Sequence, residues 1–159
     1  MISETDLTHL KRCVELAQEA LEKGDQPFGS VLVSKDGEVL FEDHNHIGDG
    51  DYTQHPEFNI ARWVGQNMAE AERADVTVYT SGEHCAMCSA AHGMVGLGRI
   101  VYVSSSQQFA EWKAEMGIED TPRIQSLAIE DVIVDAKVDG PVPELAEEVK
   151  ELHRQYFNQ

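Results

Sequence analysis

The chain has 159 residues, 29 of them acidic and 12 basic, with a formal net charge of −17 when the histidines are neutral. That length suits a single domain, residues 1–159, whose core needs no disulfide staples. Binding a polyanion takes clustered Lys and Arg to displace counterions; the few basic residues here are scattered, which disfavours a large nucleic-acid partner. No apolar run approaches the roughly 20 residues of a membrane span, and Met1 to Lys11 lacks the apolar centre of a secretory signal, so a cytoplasmic location and no membrane partner are expected.

The first helix is predicted over about 5–23, where Leu7, Leu10, Val14, Ala17 and Leu21 share one face. Gly24 ends it, and Cys13 beside the stripe reads as a small packed side chain. Residues 30–34 and 38–42 read as two strands joined by the Lys35-Asp36-Gly37 turn. Residues 43–54 form a polar loop long enough to suggest a binding role. A second helix runs from His55-Pro56-Glu57 to about Ala71. Proline suits a first helical turn, and the residue before it avoids helical dihedrals, so His55 sits at the boundary. Then come a strand over 76–80, a helix over 85–97, a strand over 99–104, a helix over 107–116, a fifth strand over 128–134 and a last helix over 143–157. Helices alternating with strands imply a largely parallel sheet covered on both faces. The early hairpin makes it mixed. The expected fold is an α/β, three-layer α/β/α sandwich of five strands.

Three cysteines, Cys13, Cys85 and Cys88, make no secreted disulfide framework. In a reducing compartment, Cys85-Ala86-Met87-Cys88 reads as metal or redox chemistry. Taken alone it fits a thioredoxin-like redox pair, half a zinc knuckle, or two ligands of a catalytic zinc. A helix start would favour thiolate over thiol at that position. No second C-x-x-C and no following H-x₃₋₅-H pair supplies the other half of a knuckle. His55 is the available third ligand, and three protein ligands leave one position open, as catalytic zinc does. Zinc makes water there nucleophilic near neutral pH. Glu57, two residues after His55, can reach that water from a boundary turn and carry its proton.

His-x-Glu followed across a strand by Cys-x-x-Cys resembles the zinc-dependent cytidine and deoxycytidylate deaminase superfamily. Pro27-Phe28-Gly29-Ser30-Val31-Leu32-Val33 and the run from Tyr79 to Cys88 look like its guanine deaminase and tRNA adenosine deaminase branch. The chain departs from that pattern at Pro56, where a small residue is usual, at His84, usually proline, and at Gly82, often cysteine. The resemblance implies the cytidine deaminase-like fold, a Zn²⁺ cofactor on His55, Cys85 and Cys88, Glu57 as proton shuttle, and a homodimer. It implies hydrolytic deamination of a free nucleobase or analogue, such as guanine, isoguanine, 8-oxoguanine, or an aminated triazine or pyrimidine. A backbone N–H near Cys85 would hold the developing oxygen. By position it also implies substrate contacts from Asn45 and Phe28. His84, Trp112, Glu119 and Tyr156 are further candidates. The ordinary readings are a turn residue for Asn45, core packing for Phe28, Trp112 and Tyr156, and loop residues for His84 and Glu119. His44 and His46 read as loop residues bracketing Asn45, and His92 as a packed helix residue. Adenosine deamination in tRNA, cytidine deamination and a non-catalytic zinc module stay as alternatives. The net charge weighs against the first of them, and Glu57, which zinc binding does not need, against the last.

Overall fold

A computed structural model describes residues 1–159. Helix α1 (Glu4–Glu22) starts at a capping box, in which Ser3 Oγ accepts from the Asp6 N–H and the Asp6 carboxylate accepts from the Ser3 N–H. Strands β1 (Gly29–Val33) and β2 (Val39–His44) form the expected hairpin, and α2 (Pro56–Asn67) follows the polar loop. Next come β3 (Thr77–Gly82), α3 (Ala86–Val95), β4 (Ile100–Ser104) and α4 (Ser106–Glu115). The chain closes with α5 (Ile129–Val132), β5 (Val138–Asp139) and α6 (Pro143–Phe157).

The five strands make one sheet in the order β2-β1-β3-β4-β5. β1 is antiparallel to both β2 and β3, and β3, β4 and β5 run parallel, so the sheet is mixed as expected. Strand residues alternate between two cores. Val31, Val33, Tyr79, Val101 and Val103 face Leu10, Val14 and Ala17 of α1 and Val149 of α6. Leu32 and Val78 face Ile60 and Val64 of α2, with Val95 of α3 packed at the edge. Gly29 permits the first layer to close, because a Cβ there would lie 2.4 Å from the Cys13 carbonyl oxygen.

Two predicted elements differ. The fifth strand expected over 128–134 is instead the single turn α5, and β5 is a two-residue pairing of Val138 and Asp139 with Ile100 and Val101. Asp131 caps that turn by accepting from the Ala128 N–H, so the acidic pair Glu130-Asp131 serves a helix start where apolar alternation suggested a strand. Helix α2 stops at Asn67, short of Ala71, and a 3₁₀ segment over Glu70–Asp75 leads into β3.

The α1 start is tied to the sheet by a nearly buried carboxylate. Asp6 accepts from Tyr79 Oη at 2.6 Å and from Arg99 at 2.9 and 3.0 Å. Arg99 also holds Asp139 of β5 at 2.9 Å. Removing one partner of such a pair strands the other's charge and hydroxyl. Asp6→Ala is therefore expected to cost about 3 kcal/mol, read as a lower urea midpoint.

Candidate metal centre and active site

Two helix starts meet at the end of the sheet. His55 is the N-cap of α2, with φ −91° and ψ 140°, the extended conformation that the following Pro56 requires. Cys85 is the extended N-cap of α3, and Cys88 lies one turn inside it. Cys85 Sγ is 3.6 Å from His55 Nδ1 and 3.6 Å from Cys88 Sγ; Cys88 Sγ is 3.5 Å from His55 Nδ1. A tetrahedral zinc, with sulfur at ~2.3 Å and nitrogen at ~2.0–2.1 Å, places S···S about 3.8 Å and S···N about 3.6 Å apart. The triangle fits zinc within about 0.2 Å, and its donor set of two thiolates and one imidazole is one zinc takes. Loss of a ligand should be visible in the metal content. Cys88→Ala is expected to purify with well under one zinc per chain, and full zinc by elemental analysis would contradict the assignment.

The site's electrostatics favour an ionised cysteine. The hydrogen bond with Cys88, with help from His55, outweighs burial and pulls the Cys85 thiol down to about 4. The same sulfur–sulfur bond, together with burial, pushes Cys88 up. Burial alone would lower His55, but the bond to Cys85 and the charge of Glu57 raise it. Burial raises the Glu57 carboxyl above its ordinary value, against the opposing pull of His55 and Thr80. A raised carboxyl suits a group that must both take and release a proton.

Glu57 is held from the sheet below. Its Oε1 lies 2.7 Å from Thr80 Oγ1 and 3.0 Å from Ser30 Oγ. Both hydroxyls fall on Oε1, and neither is bonded to Oε2. The cavity in front has a volume of about 390 Å³, with His55, Glu57 and Cys85 in its wall. Phe28 and Phe109 line it edge to face, their ring centres 5.5 Å apart. Gly82 allows this: a Cβ there would come within 2.9 Å of the Phe28 ring, which accounts for the small residue at that departure. Asn45 lines the same cavity. Its N–H donates to the Phe28 carbonyl and its Oδ1 accepts from the Ile47 N–H, leaving Nδ2 for whatever enters.

The far wall comes from a segment without regular structure. Pro122 and residues 124–127 cover the cavity, with Lys113 and Asp120, an ion pair, beside them. Glu83 fastens this wall: Oε1 accepts from the Ser106 N–H at 2.9 Å and Oε2 from the Ile129 N–H at 3.0 Å. One carboxylate so joins the N-termini of α4 and α5, where negative charge is favoured.

The remaining candidates lie elsewhere. His84 is 1 % exposed, outside the cavity lining, with its ring edge-on to His92 at 5.5 Å. Trp112 packs in the α1–α6 core, because α4 turns it inward, and Tyr156 lies partly buried against the same core. Glu119 is exposed, one residue before the lining Asp120. Within its own chain, none of these four meets the cavity. The His44 and His46 rings lie tilted with centres 4.4 Å apart, and His44 hydrogen-bonds the Asn45 carbonyl. Sequence reasoning missed Ser30, Thr80, Glu83, Phe109 and the 120–127 wall. Ser30 and Thr80 did carry a signal, as polar residues at strand positions whose i+2 and i−2 neighbours, Leu32 and Val78, are core.

A Cys/Cys/His triangle that fits zinc, beside a buried carboxylate at the floor of an open pocket, has the parts of a hydrolytic metalloenzyme. Residues 3–104 match the model of the cytidine and deoxycytidylate deaminase zinc-binding region, and the chain belongs to that family of zinc-dependent deaminases. It is 32% identical over 116 residues to a protein of Schizosaccharomyces pombe named "probable cytosine deaminase", covering 73% of this chain and 70% of that one. It is 28% identical over 101 residues to a tRNA-specific adenosine deaminase of Streptococcus pyogenes, covering 63% of each chain. The guanine deaminase structure from Nitrosomonas europaea shares the fold with a TM-score of 0.71 at 16% identity, over 100% of this chain and 87% of that one. No helix is long and apolar enough to cross a membrane.

Proposed function

We propose that this deaminase acts on a free nucleobase or base analogue: guanine, isoguanine, 8-oxoguanine, or an aminated pyrimidine or triazine such as cytosine. The observation that carries this is the cavity wall. It offers two aromatic rings and an amide at the metal centre, and its only Lys or Arg, Lys113, is already paired with Asp120. A flat ring finds an aromatic wall to pack against there, whereas a phosphate backbone finds no free cation. The relative named for cytosine supports the pyrimidine end of the range, and the guanine deaminase fold supports the purine end.

Bound to His55, Cys85 and Cys88, zinc supplies an activated water. Phe28 and Phe109, packed edge to face, form one aromatic wall against the ring, and Asn45 Nδ2 donates to an acceptor on its edge. Glu57 Oε2 takes a proton from the attacking water and passes it to the ring nitrogen beside the aminated carbon. Oε2 then takes the remaining proton from the hydroxyl now on that carbon and delivers it to the amine as the C–N bond breaks. The carbon becomes a carbonyl and ammonia leaves. The reading extends to a homodimer, which light scattering tests.

The second reading, adenosine deamination in tRNA, rests on the Streptococcus relative. Ammonia release by the zinc-loaded protein separates the two. The panel is cytosine, guanine, isoguanine, 8-oxoguanine, ammeline, cytidine, adenosine and a tRNA anticodon stem. Turnover confined to free bases is expected; turnover of the RNA alone would overturn the proposal.

A further inference from the structure

Beneath Glu57 the sheet carries two hydroxyls where its neighbouring positions carry core residues. Ser30 of β1 and Thr80 of β3 are direct cross-strand partners, and both are fully buried. They sit on the α2 face, in line with Leu32 and Val78, which pack against Ile60 and Val64. A methyl group at either position would be the simpler filling for that core. The hydroxyls instead lie 3.0 and 2.7 Å from the same carboxylate oxygen, Glu57 Oε1.

Each hydroxyl also has a second acceptor. Ser30 Oγ is 3.0 Å from Thr80 Oγ1, and Thr80 Oγ1 is 2.9 Å from the Gly82 carbonyl oxygen. Two hydrogens with two acceptors each have four arrangements, of which two are the limits. In one, both point at Oε1. In the other, Ser30 donates to Thr80 and Thr80 donates to Gly82. Changing between them takes only rotation about two C–O bonds, and neither leaves a buried hydroxyl hydrogen unpaired.

We propose that Ser30 and Thr80 are positioning residues for the deamination step. They clamp Glu57 through Oε1, so that Oε2 is the oxygen presented to water and substrate. The proposal rests on the reading of Glu57 as the proton carrier. Because the pair lies outside the cavity lining, its contribution is the same whichever base is the substrate.

The test uses Ser30→Ala, Thr80→Val and Thr80→Ser, with Glu57→Ala as the reference, each checked for zinc content and thermal melting. On every base turned over, Thr80→Val is expected to lower kcat about ten- to hundred-fold, the scale of one charge-assisted hydrogen bond. KM and zinc should be unchanged, and Thr80→Ser should restore most of the rate. Ser30→Ala should lower kcat in the same sense. In a crystal structure of the Ser30→Ala/Thr80→Val double variant, the Glu57 carboxylate should leave its wild-type rotamer. An unmoved Glu57 there, or an unchanged kcat in both single variants beside an inactive Glu57→Ala, would overturn the clamp alone. A fully active Glu57→Ala would instead remove the reading beneath it.

Discussion

Glu57→Ala is expected to keep its zinc and lose deamination by about 10²–10⁴-fold in kcat, the usual contribution of a positioned general acid–base. Glu57 is not one of the three metal donors, so its loss leaves the His55–Cys85–Cys88 triangle intact. It is 6 % exposed, and the other carboxylates of the cavity wall are engaged, Glu83 by the Ser106 and Ile129 N–H groups and Asp120 by Lys113. Truncation removes the proposed proton carrier and leaves Phe28, Phe109 and Asn45 of the cavity lining untouched. The loss should therefore fall on kcat, with KM moving little. Steady-state kinetics alongside elemental analysis checks both halves. Retained turnover would sink the assigned role, and lost zinc would show Glu57 to be part of the metal's support.

The second large effect concerns acid. Burial holds His92 down to about 4 and His153, next to Lys113, down to about 3. His84 is pushed well below its ordinary value by burial and by His92. All three are nearly fully buried, and His153 has no hydrogen-bond partner at either ring nitrogen. In the unfolded chain these rings titrate near 6.5. Their folded values are lower, so below 6.5 the unfolded state binds more protons and stability falls as pH falls. The contribution is fully present above that pH. His92 and His153 should each remove about 2 kcal/mol between pH 7 and pH 5, and His84 acts in the same direction. Against a typical stability of about 5–15 kcal/mol, that is a large share. Urea denaturation at the two pH values measures it. His153→Phe sits among Phe28, Phe109 and Trp112 and should flatten the slope. An unchanged slope in that variant would show that the acid sensitivity lies elsewhere.

The fold and the metal triangle were legible for a local reason. Helix starts, strand alternation and the His55-Pro56 boundary are written in neighbouring residues, and each ligand sits at such a start. What was not legible depends on distant pairings. Glu83 finds its partners at Ser106 and Ile129, 23 and 46 residues away. Residues 120–127 have no periodicity to announce that they form a wall. Trp112 and Phe109 belong to one helix, three residues apart, and only the packing of α4 against α6 sends Phe109 to the cavity lining and Trp112 to the core. The fifth strand was misplaced because Ile129, Val132 and Val134 look like a strand until Asp131 caps a helical turn. The departure at Gly82 acquires its reason only when the Phe28 ring is seen resting over it.

The central claim is that His55, Cys85 and Cys88 hold one zinc beside Glu57. X-ray absorption at the zinc edge, on protein of measured zinc content, tests it most directly. The account predicts one zinc per chain, with two sulfur neighbours at about 2.3 Å and lighter neighbours at about 2.0–2.1 Å, and loss of one sulfur in Cys88→Ala. A zinc-free protein, or a shell with no sulfur, would contradict it.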